Sequence, residues 1–206
     1  MGLEAKTSLS LGDDTFAVKA HLNTDRVEFR GGTRLDVLFA SVRSARAGAA
    51  GALELVHTGG RLSLALGDRA TAEKWAQKIL HPKSLIEKLG VKPESRVAVI
   101  GVDDADFLAQ LGKHLVAPPM PKPGAGMDFI FHAADSREEL AKLKSLTGHL
   151  QPAGAIWVVS LKGRAAKIKD TDVMQAARAA GLVDNKVCSF SPTHTALKLV
   201  IPKARR

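Results

Sequence analysis

Residues 96–108, RVAVIGVDDADFL, decide the fold. Val97, Ala98, Val99 and Ile100 form a short continuous apolar run, the pattern of a strand buried on both faces. Gly101 then allows a tight turn. Asp103, Asp104 and Asp106 follow at the start of an amphipathic stretch, where acids suit the positive end of a helix. A strand, a glycine turn and a helix, in that order, make the first half of a βα unit.

Toward the C-terminus the alternation repeats. DFIFHAA (128–134) precedes REELAKLKSLTGHL (137–150), and AIWVVSL (155–161) precedes DTDVMQAARAAGL (170–182). Apolar strands separated by helices predict a parallel α/β sheet. NKVCSF and ALKLVIP then stand only SPTHT apart. That gap is too short for a helical crossover, so these two strands form an antiparallel hairpin.

Toward the N-terminus the period changes. TFAVKAHL, RVEFRGGTRLDVLF and ALELVHTGGRLSLAL alternate apolar and polar residues, with Gly31-Gly32 and Gly59-Gly60 at turns. DRATAEKWAQKIL follows, with Asp68 or Thr71 as the cap and Trp75, Ile79 and Leu80 on one face. A short meander cannot cover its own apolar side, and a helix bearing a large aromatic closes it. ARAGAAGA (45–52) reads as a flexible loop. Pro82 suits a helix start, Leu85, Ile86 and Leu89 give that helix an apolar side, and Gly90 ends it. Two domains are therefore expected, at residues 1–81 and 82–206.

The order of the first domain resembles the pleckstrin-homology-like (PH-like) domain over about residues 5–80, with Trp75 in the place of its inward tryptophan. The resemblance does not bring lipid binding with it: Asp13 and Asp14 at the first turn would repel phosphates. A parallel sheet ending in an antiparallel hairpin resembles the methyltransferase variant of the Rossmann fold. LQPAGAIWVVS also resembles the turn and strand of that variant. More narrowly, KLGVKPESRVAVIGV, GAIWVV and AGLVDNKVCSFSPTHTALKLVIPKARR resemble a bacterial domain-of-unknown-function family of short Rossmann-like proteins, over about residues 84–206. That resemblance implies a fold and no activity. It differs at SLKG, where Leu161 replaces a proline.

The usual donor site of such a fold needs glycines after the first strand and an acid after the second. Here Val102, Asp103 and Asp104 crowd the turn, and LVAPPMPKPGAGM (115–127) has no acid. Only one crossover fits between the first strand and DFIFHAA, so the nucleotide half is truncated. The expectation is the fold with its site erased: a non-catalytic binding or regulatory protein without a cofactor. A divergent methyltransferase using S-adenosylmethionine at the Asp103–Asp104 turn is the alternative.

Composition bounds the remaining chemistry. The chain has 206 residues and a net charge of +9. Residues 160–206 hold ten basic against three acidic side chains and residues 81–159 nine against nine, so the excess sits near the C-terminus. No apolar run reaches the ~18 residues of a membrane span. The start carries no signal peptide, and Lys6 breaks the myristoylation pattern. One cysteine, Cys188, excludes an internal disulfide. These features point to the cytoplasm.

The candidate ligand-binding residues lie where the strands end: Asp103, Asp104, His132, Ser160, Lys162, Arg164, Lys167 and Lys169, with Ser191, Thr193, His194 and Thr195 in the hairpin. Lys162, Gly163 and Arg164 suit an anionic small molecule or a protein partner. The histidines lack metal-ligand spacing, so no metal is expected. Nucleic-acid association through the basic tail is a third reading. The aromatic content of 4%, with no tyrosine, removes the usual stacking platform and makes it the least favoured.

Overall fold

The computed structural model describes residues 3–205; Met1 and Gly2 of the myristoylation pattern and Arg206 of the basic tail lie outside them. The chain divides into two units, Met1–Lys83 and Ser84–Arg206.

The first unit is a seven-stranded antiparallel sheet, nearly closed like a barrel, in the order β4-β3-β2-β1-β7-β6-β5. Its strands are β1 (Leu3–Leu11), β2 (Asp14–Leu22), β3 (Arg26–Gly31), β4 (Leu35–Leu38), β5 (Val42–Ala47), β6 (Ala52–His57) and β7 (Gly60–Ala65). Alternation places Leu9, Val18, Ala20, Leu22, Val27, Phe29, Leu53, Leu55, Leu62 and Leu64 inside. Helix α1 (Arg69–Leu80) covers this core with Ala72, Trp75, Ala76 and Ile79. Asp68 is its cap, accepting from the Thr71 N–H at 2.7 Å. Leu80, expected inward, is exposed. The stretch 45–52, expected as a loop, instead ends β5, turns once and opens β6. Register explains this: Ala45 pairs with Leu55 and Ala47 with Leu53, so the small side chains are one strand of a hairpin.

The second unit is a five-stranded mixed sheet, β11-β12-β10-β9-β8. It opens with helix α2 (Leu85–Leu89), which starts after Ser84 and not at Pro82. Ser84 and Glu87 form a reciprocal capping box. β8 (Val97–Ile100) leads to helix α3 (Ala105–His114), and β9 (Met127–Ala133) to helices α4 (Arg137–Ala141) and α5 (Leu143–Thr147). β10 (Leu150–Leu161) leads to helix α6 (Asp170–Ala179), then β11 (Val183–Ser189) and β12 (His194–Val200). β8, β9 and β10 are parallel; β12 runs antiparallel to β10 and to β11.

Both faces of this sheet are covered. Ile86, Leu89, Phe107 and Leu111 of α2 and α3 pack on Val97, Phe131, Trp157 and Val159. Leu140, Leu143, Leu146, Val173 and Ala177 of α4, α5 and α6 pack on Ala98, Ile130, Ile156 and Val158. Among the described residues no helix is long and apolar enough to cross a membrane.

Candidate functional site

The helix after β8 leaves on one face of the sheet and the helix after β9 on the other. The crevice beyond the carboxyl ends of such neighbouring strands is where open α/β sheets take ligands. Its walls are the turn 101–104 and the segment 133–136.

The turn is more open than its sequence suggests. Gly101 has φ +70°, and a Cβ there would meet only the Ala133 Cβ, at 3.5 Å. Val102 is 9% exposed and packs into the core beside Phe107, away from the crevice. Asp104 folds back on its own helix, where Oδ1 accepts from the Phe107 N–H at 2.9 Å. Of the three, Asp103 is the exposed one. The crowding expected from three side chains is therefore reduced to one.

The facing wall is tied down. The Asp135 N–H donates to Glu139 Oε2 at 2.6 Å, and Asp135 Oδ1 accepts from the Leu161 N–H at 2.9 Å. The bond from Asp135 is the main reason the Glu139 carboxyl sits below the usual range. His132 is 2% exposed beneath this wall, with Nε2 3.0 Å from the Glu139 carbonyl oxygen. Burial lowers its pKa and favours the neutral ring. Ser160 is also buried, and its strand position pairs with Thr195.

The basic loop meets the hairpin at one point. Lys162 Nζ donates to Ser189 Oγ at 3.0 Å and to the Ser191 carbonyl at 2.7 Å. Ser191 Oγ accepts from the His194 N–H at 3.2 Å, and Thr193 Oγ1 lies 2.9 Å from His194 Nδ1. Thr195 Oγ1 donates to the Cys188 carbonyl at 3.4 Å. These contacts brace the turn's own backbone and occupy the Lys162 ammonium. Arg164, Lys167 and Lys169 point to solvent around them. The structure thus brings Lys162, Ser191, Thr193 and His194 together, and Asp103 takes no part in their hydrogen bonds.

The strand end DFIFHAAD places Asp135 at this wall from the sequence as well, but Ala133, the small residue beside Gly101, was not singled out because it carries no polar group.

The family model described as "Protein of unknown function (DUF3052)" matches residues 129–203, which supports the resemblance to a domain-of-unknown-function family. No curated protein matches the sequence. Similar solved structures include an S-adenosylmethionine-dependent methyltransferase from Aquifex aeolicus, at 16% identity over 57% of this chain and 88% of that one, TM-score 0.41. The magnesium protoporphyrin IX methyltransferase of Synechocystis PCC 6803, with bound S-adenosylmethionine, is 12% identical over 57% and 74%, TM-score 0.39. An O-methyltransferase from neocarzinostatin biosynthesis, in complex with S-adenosylhomocysteine, is 14% identical over 39% of this chain, TM-score 0.35. The chain spans only 31% of that protein's length.

The expectation of a non-catalytic binder without a cofactor is set aside against these neighbours, each described as a methyltransferase; at these identities and TM-scores they carry no activity over to this chain.

Proposed function

We propose that the second unit is a divergent methyltransferase-like enzyme of shortened Rossmann build, holding S-adenosylmethionine in the crevice between Gly101–Asp104 and residues 133–136. The observation that carries the reading is the turn itself. Val102 is directed into the core and Asp104 onto the helix, so the Gly101 backbone stays approachable beside Ala133. The order of strands supports it, with three parallel strands continued by an antiparallel hairpin. In the same spirit we read the first unit as PH-like, from its runs of four and three antiparallel strands joined by the β1–β7 pair and closed by a tryptophan-bearing helix.

The residues fit the donor in part. A glycine turn at a strand end admits close backbone approach. The acid that a second strand would offer the ribose is lacking, because residues 115–126 form one bridge, Met120 to Ala98, where that strand would run. Asp103 is the free carboxylate within the turn and takes that role as acceptor for a ribose diol. The methyl donor supplies an electrophilic methyl group; this chain supplies the turn, the acceptor and the apolar wall at Ala133.

Isothermal titration with S-adenosylhomocysteine tests the reading. Saturable one-to-one binding is expected, weakened at least tenfold in Asp103→Ala and lost in Gly101→Val, with Lys162→Ala unchanged. No heat up to about 1 mM ligand, a limit near −4 kcal/mol, would overturn it.

A further inference from the structure

The second unit carries a cleft that the donor reading leaves unused. It runs between α4–α5 and α6 and has a volume of about 430 Å3. α4 passes into α5 through Lys142, whose own backbone is helical, so the two make one wall. Arg137, Leu140, Ala141 and Lys144 face the cleft from that wall, at the three- and four-residue spacing of one helix face. Asp172, Gln175, Ala176 and Ala179 face it from α6 at the same spacing. Both walls follow parallel strands, β9 and β10, so they run side by side in one direction. Arg137 and Asp172, 35 residues apart in sequence, meet at 3.5 Å where the two walls begin. The same offset sets Ala141 level with Ala176 and Lys144 level with Ala179.

The cleft exists because alanines stand where larger side chains would close it. Ala141, Ala176 and Ala179 each offer a single methyl group. The walls cannot move together to meet, because Leu143, Leu146, Val173 and Ala177 hold them onto the sheet from beneath. Chemistry changes along its length. At one end the Asp172 carboxylate is already met by Arg137. The middle is apolar and floored by Leu140, which is buried. At the other end Lys144 is exposed. No acid stands three or four residues from it, and the residue level with it is an alanine. Among the described residues Lys144 enters no ion pair.

We infer that this cleft is a binding site for a small amphipathic monocarboxylate. The apolar body lies along Leu140, Ala141 and Ala176, and the carboxylate meets Lys144. Charge complementarity sets that direction, since the opposite end holds an acid already paired. A lone ammonium is a point charge and suits one anionic group. The guanidinium that would fork a phosphate, Arg137, is held by Asp172. The volume falls in the range of small-molecule pockets, roughly 300–1,000 Å3, and the mostly apolar floor matches their usual character. The inference does not depend on the reading of the crevice at Gly101.

The test uses the full chain, 15N-labelled, titrated with octanoate and separately with acetate. Octanoate is expected to give saturable shifts confined to residues 137–144 and 172–180. Acetate, which has the charge without the apolar body, should give none. Lys144→Gln should weaken octanoate binding roughly threefold, the effect of one exposed charge. Ala179→Leu fills the cleft and should abolish saturation. Both positions are exposed, and an unchanged spectrum elsewhere confirms folding of the variants. No saturable shift with octanoate up to about 10 mM would overturn the inference. So would shifts centred elsewhere, an equal response to acetate, or binding indifferent to either variant.

Discussion

His132 Nε2 lies 3.0 Å from the carbonyl oxygen of Glu139, while Nδ1 of the same ring is buried without a partner. A carbonyl only accepts, so Nε2 carries the hydrogen and Nδ1 is the bare nitrogen. The first turn of α4 is thereby tied to the end of β9, beneath one wall of the crevice. Protonating Nδ1 would place a charge in an apolar layer with no acceptor for it.

Stability should therefore fall on acidification. Burial lowers the folded pKa of His132 below its ordinary 6.5, and Lys142 adds to the effect, against the opposing pull of Glu139. Between the two values the unfolded chain binds a proton that the folded chain does not. The contribution is complete above 6.5 and is lost as pH falls through the lowered value. Urea midpoints at about pH 7.5 and about 5.5 should separate more in the native chain than in His132→Gln. Equal separations would remove His132 as the cause.

Neighbouring acids of the turn should behave differently. Asp104→Ala removes a helix cap and should cost about 1 kcal/mol in chemical denaturation. Asp103→Ala, which breaks no bond in the structure, should stay within about 0.5 kcal/mol of the native chain. Equal losses would show that Asp103 has a structural partner and would weaken its assignment to the ligand.

How far the sequence reaches is visible in the same turn. The strand, the turn and the helix of 96–108 were legible because apolar run, glycine and acids each obey a local rule. The direction of each side chain was not. Val102 goes inward because Phe107 and Leu111 make an apolar layer for it, and Asp104 turns back because the Phe107 N–H needs an acceptor. Both facts depend on packing. β5 was illegible for a similar reason: SVRSARA is polar on one side and small on the other, and only pairing with β6 makes it a strand. In the basic loop, composition showed the charge of Lys162 but not that Ser189 and Ser191 already occupy it.

Gly51 should tolerate no side chain. It has φ +72°, and a Cβ there would overlap the backbone of Asp68, the cap of α1. Gly51→Ala combines left-handed strain with a clash that only movement of α1 relieves, at a cost of roughly 2 kcal/mol or more. Thermal unfolding of the first unit, followed by Trp75 fluorescence with Gly51→Ala placed in a Trp157→Phe background and compared with that background, reads the loss. A midpoint within a degree or so of that background would mean that this junction is loose.

The two tryptophans divide between the two units, Trp75 in the first and Trp157 in the second. Trp157 is fully buried, and its Nε1–H donates to the Leu89 carbonyl at 3.2 Å, fastening α2 to the sheet. Trp157→Phe keeps most of the apolar volume and leaves that buried carbonyl unpaired, a change of about 1–3 kcal/mol. The variant then has a single tryptophan, so fluorescence reports the first unit alone while circular dichroism reports both. Separate transitions are expected, with only the circular-dichroism component of the second unit moved to lower denaturant. If the Trp75 signal moved by the same amount, the two units would unfold as one.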